Sequence, residues 1–137
     1  MAIAGVGTRF ERWDATLTTP AYVPLAEITS IEGPGMTKET YDTTALDTPG
    51  GYRTFIAGFK DAGTITLNMN FTNATYTLIK GDFESNIPVK YQIVFPDTEN
   101  TTFQFEGLVT ECPISIPTDD KITVSVTIKI TGEFKKV

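Results

Sequence analysis

Lys121-Ile122-Thr123-Val124-Ser125-Val126-Thr127-Ile128-Lys129-Ile130-Thr131 alternates apolar and polar side chains without interruption. Successive side chains of a strand point to opposite faces, so Ile122, Val124, Val126, Ile128 and Ile130 define one face and Thr123, Ser125, Thr127, Lys129 and Thr131 the other. Continued through Phe134, the segment predicts a strand of about 13 residues, roughly 40 Å long.

The same rule reads other segments on either side. Ala62 to Phe71 sets Ile65, Leu67, Met69 and Phe71 against Thr64, Thr66, Asn68 and Asn70. Thr101 to Glu111 sets Phe103, Phe105 and Val109 against Thr102, Gln104, Glu106 and Thr110. Ile87 to Phe95 and Thr8 to Trp13 predict shorter strands, and Leu25 to Tyr41 a longer one bent at Gly33-Pro34-Gly35, where a proline without a donor and two permissive glycines interrupt pairing. The one helical pattern is Ala74 to Glu84, with Asn73 as its cap and Tyr76, Ile79 and Phe83 facing inward.

Residues 42–60 lose the alternation and gain Asp47, Pro49, Gly50, Gly51 and Gly58, yet keep Leu46, Tyr52, Phe55, Ile56 and Phe59. That reads as a long, apolar loop, either reaching for a partner or folding its aromatic residues back onto the core. Residues 1–7 are small and read as an N-terminal arm. The fold class is therefore mainly β: one domain over residues 1–137, a β-sandwich or partly open β-barrel of about six to eight strands with one α-helix.

Composition narrows function. The chain has 24 Thr residues and a formal charge of -6, so no basic field holds nucleic acid by its phosphates. It contains no His, which removes the usual general base, the His-dependent nucleophile systems and the commonest transition-metal ligand. The acidic pairs Asp97/Glu99 and Asp119/Asp120 lack the spacing of a calcium loop and fit turns between strands. No enzyme activity, metal or cofactor is expected. Cys112 is the single cysteine, and a reducing compartment is expected. No apolar run reaches the roughly 18 residues of a membrane span, and no signal-peptide pattern opens the chain, so synthesis in a cytosol is expected. The polar faces of the three alternating strands carry hydroxyls and amides with few charges, which suits a lined channel or a paired surface better than a sheet facing bulk water.

Within the loop region the residues run Glu39-Thr40-Tyr41-Asp42-Thr43-Thr44-Ala45-Leu46-Asp47-Thr48-Pro49-Gly50-Gly51-Tyr52-Arg53. The order Glu-Thr-x-Asp-x-Thr-x-Leu, an acidic residue, a Gly-Gly pair, an aromatic and Arg resembles the tail tube proteins of lambda-like long-tailed bacteriophages and of gene transfer agents, with a further likeness to type VI secretion tubes. The resemblance covers most of Thr8 to Phe134. It implies a ring-forming tail-tube fold and a structural virion protein whose hexameric rings stack into a channel for DNA ejection into the host. It implies lumen strands at Leu25–Tyr41, Ala62–Phe71, Thr101–Glu111 and Lys121–Phe134. The lumen-facing residues are then Thr64, Thr66, Asn68, Asn70, Thr102, Gln104, Glu106, Thr123, Ser125, Thr127 and Lys129. It implies inter-ring contacts from Asp42, Leu46, Asp47, Gly50, Gly51, Tyr52, Arg53, Phe55, Ile56 and Phe59. Its partners would be further copies of the chain, the tape-measure, tail-tip and tail-terminator proteins, and double-stranded DNA in passage. No membrane is implied, and the site of assembly is the bacterial host cytoplasm. The alternative from the residues alone is a β-sandwich module that presents its aromatic loop to a ligand or receptor.

Overall fold

The computed structural model describes residues 3, 5–25, 27–47 and 49–137. Ten strands and one helix follow in the order β1 (Arg9–Asp14), β2 (Ala21–Pro24), β3 (Ile28–Glu32), β4 (Thr37–Asp42), β5 (Phe55–Asp61), β6 (Thr64–Asn70), α1 (Asn73–Glu84), β7 (Val89–Val94), β8 (Thr102–Glu111), β9 (Ile114–Ser115) and β10 (Thr123–Lys136). One antiparallel sheet runs β2-β1-β7-β8-β10-β6-β3, with β9 beside β10, and β4 and β5 form a separate hairpin.

The two ends of that sheet are consecutive in sequence. β2 ends at Pro24 and β3 begins at Ile28, so their Cα atoms lie no more than about 14 Å apart. A flat sheet with six inter-strand spacings would hold its edges about 29 Å apart. The sheet therefore curls into a partly open barrel, and the enclosed face becomes the core. Ile65, Leu67, Val126 and Ile128 are fully buried there. Phe10, Tyr91 and Phe105 meet with ring centroids 5.4 to 6.1 Å apart. Gly107 faces inward because a Cβ there would stand 2.5 Å from a methyl of Ile128.

The helix packs differently from the sequence reading. Its cap is Thr72, whose side chain accepts from the Thr75 N–H, and not Asn73. The inward face carries Thr75, Ile79 and Asp82, while Phe83 is 45% exposed and Tyr76 half-buried. Turning Asp82 inward is feasible because Arg12, on the core side of β1, donates to both its carboxylate oxygens at 2.7 and 2.6 Å, and the Tyr91 hydroxyl donates at 2.7 Å. A buried carboxylate needs such partners. Phe83 then rotates toward solvent.

Two further readings change. Leu25 to Tyr41 is not one bent strand: Ile28–Glu32 forms the last strand at one edge of the main sheet, and after Gly33-Pro34-Gly35 the chain leaves it for the β4–β5 hairpin. The long loop is also shorter than 42–60, because Phe55–Asp61 is a strand paired with β4. Of the N-terminal arm, residues 1, 2 and 4 lie outside the described residues, while the Thr8 N–H donates to Gly5 O at 3.2 Å.

Candidate assembly surfaces

Three surfaces stand out: the polar face of the sheet, its two free edges, and the projecting β4–β5 arm. Strand register builds the first. Thr66 stands between Glu32 and Thr127, Asn68 between Ser30 and Ser125, and Thr123 opposite Asn70. Thr64, Lys129 and Leu108 make the next row. Residues directly opposite each other in antiparallel strands share a face, so Thr64, Thr66, Asn68, Asn70, Thr123, Ser125, Thr127 and Lys129 form one continuous hydroxyl and amide surface. Asn68 Nδ2 donates to Ser30 Oγ at 2.8 Å and Asn70 Nδ2 to Glu27 Oε2 at 2.9 Å.

Thr102, Gln104 and Glu106 stand on the same face in a more charged sector. Gln104 lines up with Gln92 and Glu11, and Glu106 lies opposite Lys90. Gln104 Nε2 donates to Gln92 at 3.1 Å, and Gln92 Nε2 in turn to Glu11. The face thus holds more charge than its strands β6, β8 and β10 show alone, because β1, β3 and β7 add Arg9, Glu11, Glu32 and Lys90, with Arg9 3.7 Å from Glu11. Leu108 is an apolar exception within it.

Lys129 is committed elsewhere. Its ammonium donates to both oxygens of Asp61 at 3.0 and 3.1 Å. The Gly63 N–H donates to the same carboxylate at 2.8 Å. That amide, and Lys129 after it, hold the Asp61 carboxyl below its ordinary value. Both contacts fasten the root of the arm. The crossing there is tight: a Cβ on Gly63, whose φ is 85°, would lie 2.6 Å from Gly35 O, and one on Gly33 would lie 2.4 Å from Thr64 O. Only glycine lets two backbones approach so closely.

At the far end of the arm, the residues of the Glu39–Arg53 motif fold together. Arg53 Nη1 lies 3.2 Å from Asp42 Oδ2, the Thr43 N–H donates to Thr54 O at 2.8 Å, and the Thr44 N–H to Asp42 Oδ1 at 2.8 Å. The Thr44 hydroxyl and amide, with Arg53, lower the Asp42 pKa. Gly50 and Gly51 take φ near 74° and 71°, left-handed values that turn the chain at the arm's tip, with the Tyr52 ring packed against Gly50. Leu46, Tyr52, Phe55, Ile56 and Phe59 are all exposed, Phe59 to 84%. Asp47 is exposed as well. The aromatic residues do not fold back onto the core.

The sequence reading missed the Arg12–Asp82–Tyr91 cluster, although a signal existed: Arg12 is in phase with Phe10 and Asp82 in phase with Ile79. Burial, and then the Asp82 charge, push the Tyr91 hydroxyl far up. The guanidinium's own hydrogen bonds to Asp82 raise the Arg12 pKa. All three groups are satisfied by one another, which marks a structural clip between helix and sheet. Among the described residues no three acidic or cysteine side chains converge as metal ligands.

This architecture has relatives. The tail of an empty gene transfer agent particle, refined with C6 symmetry, superposes with a TM-score of 0.81 at 19% identity over 99% of both chains. The SPP1 tail tube superposes at 0.72 with 12% identity, over 98% of this chain and 79% of that one. A chain from the baseplate of the anti-feeding prophage gives 0.67 at 14% identity, over 96% and 95%. No curated protein sequence matches significantly. The family model described as lambda phage tail tube protein matches residues 6–136. The chain belongs to the lambda phage tail tube protein family.

Proposed function

We propose that this structural tail tube subunit assembles into hexameric rings that stack into a tube, with the polar face of its sheet lining the channel. The carrying observation is the register of β3, β6, β10 and β8, which puts the hydroxyl and amide side chains on one face while their sequence neighbours fill the core. Among the described residues the outer edges of β2 and β3 have no paired strand, and pairing with neighbouring subunits would satisfy their N–H and C=O groups. The six-fold symmetry of the gene transfer agent tail favours six copies. The arm, through Leu46, Tyr52, Phe55, Ile56 and Phe59, reaches the next ring and removes its apolar side chains from water.

In the virion tail, such a channel conducts double-stranded DNA without gripping it. Each phosphate contact adds affinity, and the Lys129 charge is already matched by Asp61. Copies of the chain, a tape-measure protein, and tail-tip and tail-terminator proteins are its partners, and assembly takes place in the bacterial cytoplasm. Electron microscopy of the concentrated protein tests the assembly: rings and tubes are expected, and a monodisperse monomer at all concentrations overturns it. Thr66→Lys with Thr127→Lys tests the lining, since tubes should form but reconstituted particles should eject DNA slowly. Normal ejection rejects the lumen assignment while leaving the tube intact.

A further inference from the structure

A groove of about 1030 Å³ opens between the root of the arm and the C-terminal half of β10, with Met36, Phe59, Ile130 and Phe134 in its walls. Lys38 and Lys60 also line it, and they are directly opposite partners on β4 and β5. Like charges so placed repel, and among the described residues neither forms an ion pair. Three acids share the lining: Asp61 is paired with Lys129, Glu39 accepts from the Tyr41 hydroxyl at 2.9 Å and keeps its charge, and Glu133 stands beside them. The groove thus combines exposed apolar surface with two lysines held side by side, each better placed against an added carboxylate than against the other.

A segment of complementary chemistry lies elsewhere on the chain. Between β9 and β10, residues 116–122 read Ile116-Pro117-Thr118-Asp119-Asp120-Lys121-Ile122. Ile116 is 73% exposed, and Ile122 is exposed as well. Asp119 and Asp120 are exposed as well and form no ion pair among the described residues.

Topology puts groove and segment at opposite ends of the subunit. The segment joins β10 at its start, where Val124 pairs with Ile114 and the Ser125 N–H donates to Pro113 O at 3.0 Å. The arm root meets β10 further on, where the Ile130 N–H donates to Gly63 O at 3.0 Å. β3 and β10 are both antiparallel to β6, so the chain leaves Glu32 running toward the Ile130 end of β10, where the arm is rooted. About seven strand residues, or roughly 23 Å, separate the two levels. A segment at one end and its complement at the other cannot meet within one chain. They meet when a second copy stacks head to tail, the arrangement that yields an open polymer.

We infer that the groove beside the arm root receives the Ile116–Asp120 segment of a second copy, with Asp119 and Asp120 against Lys38 and Lys60 and Ile116 against the apolar wall. The inference rests on the stacked-ring reading and names the residues of its axial joint.

Charge reversal tests it in the full-length chain. Lys38→Glu with Lys60→Glu, or Asp119→Lys with Asp120→Lys, should leave the circular dichroism spectrum unchanged. Each pair should raise the critical concentration for tubes about ten-fold. Combining all four should restore it to within about three-fold of the starting protein, an interval well under that loss. A second measurement uses Lys60→Cys and Asp120→Cys in a Cys112→Ser background, where oxidised tubes should give a ladder of cross-linked chains and dilute protein should not. If the starting protein makes tubes and the reversed variants make them equally well, or the combination fails to rescue, or no ladder forms, the joint is wrong and the tube stands. If the starting protein makes neither rings nor tubes, the stacked-ring reading fails and the joint with it.

Discussion

Asp82→Ala removes the acceptor from two donors at once. Tyr91 is fully buried, so its hydroxyl is left without a partner, at a cost of about 1 to 3 kcal/mol. The Arg12 side chain keeps 21% of its surface in contact with solvent and recovers part of its hydration. Breaking a buried ion pair costs about 3 to 5 kcal/mol, and Arg12's partial exposure puts the expected total near the lower bound, about 3 kcal/mol. For a chain of this length that is a fall of about 10 °C in Tm. Urea unfolding followed by circular dichroism should show a lower midpoint with an unchanged slope. Replacing the pair together, Arg12→Met with Asp82→Leu, should cost less than Asp82→Ala alone because no charge remains buried. A cost below about 1 kcal/mol for Asp82→Ala, or a double variant worse than the single one, would refute the clip.

Replacing residues 45–52 by Asn-Gly should shorten the arm to a tight hairpin, leave the body folded and abolish tubes; tubes of normal length by electron microscopy contradict an inter-ring arm. Ile79→Ala should cost about 2 to 5 kcal/mol in urea unfolding, whereas Phe83→Ala should stay below about 1 kcal/mol because that ring is nearly half exposed; equal costs contradict the helix rotation. The Asp61 carboxyl has a folded pKa below its ordinary 3.8, so the stabilisation it gives the arm root is present above that value and is lost as pH falls through the lower folded one. The Gly63 amide resonance should move in that acid window and stay still in Asp61→Asn; movement in the variant would assign the effect to another carboxylate.

The parts of the fold that were legible in the sequence share a cause. β6, β8 and β10 each have one buried face, and burial on one side writes a period of two into the residues. β4 and β5 have no buried face: Tyr41, Phe55, Ile56 and Phe59 are all exposed, and a register irregularity falls between Lys38 and Thr40. With no core to select one side, alternation fades, so β5 reads as loop and β4 as the end of a bent strand. β2 is four residues long and ends in Pro24, a residue tolerated because β2 pairs with β1 alone. The helix was placed correctly in the chain but rotated, because apolar spacing at Tyr76, Ile79 and Phe83 competes with Thr75, Ile79 and Asp82 at almost the same period. Polarity argued against Asp82 as an inward residue, and only its partners 9 and 70 positions away reverse that. The polar surface was legible within each strand; its added charges come from neighbours distant in sequence.

The adjacency of β2 and β3 across a three-residue linker also sets an order of events in time. β7 and β8 are joined by a short turn closed by the Phe95 N–H to Thr101 O, whereas Arg9 must find Val94. Closing a loop of about 80 residues costs roughly 2 kcal/mol more than closing one of about 8. The β7–β8–β10 meander should therefore nucleate, and β1 should zip on late and carry β2 with it. During translation the N-terminal strands emerge first but have no template until the last third of the chain is made. An adhesive edge is thus completed only as the rest of the subunit becomes native, which keeps half-made chains from seeding polymers.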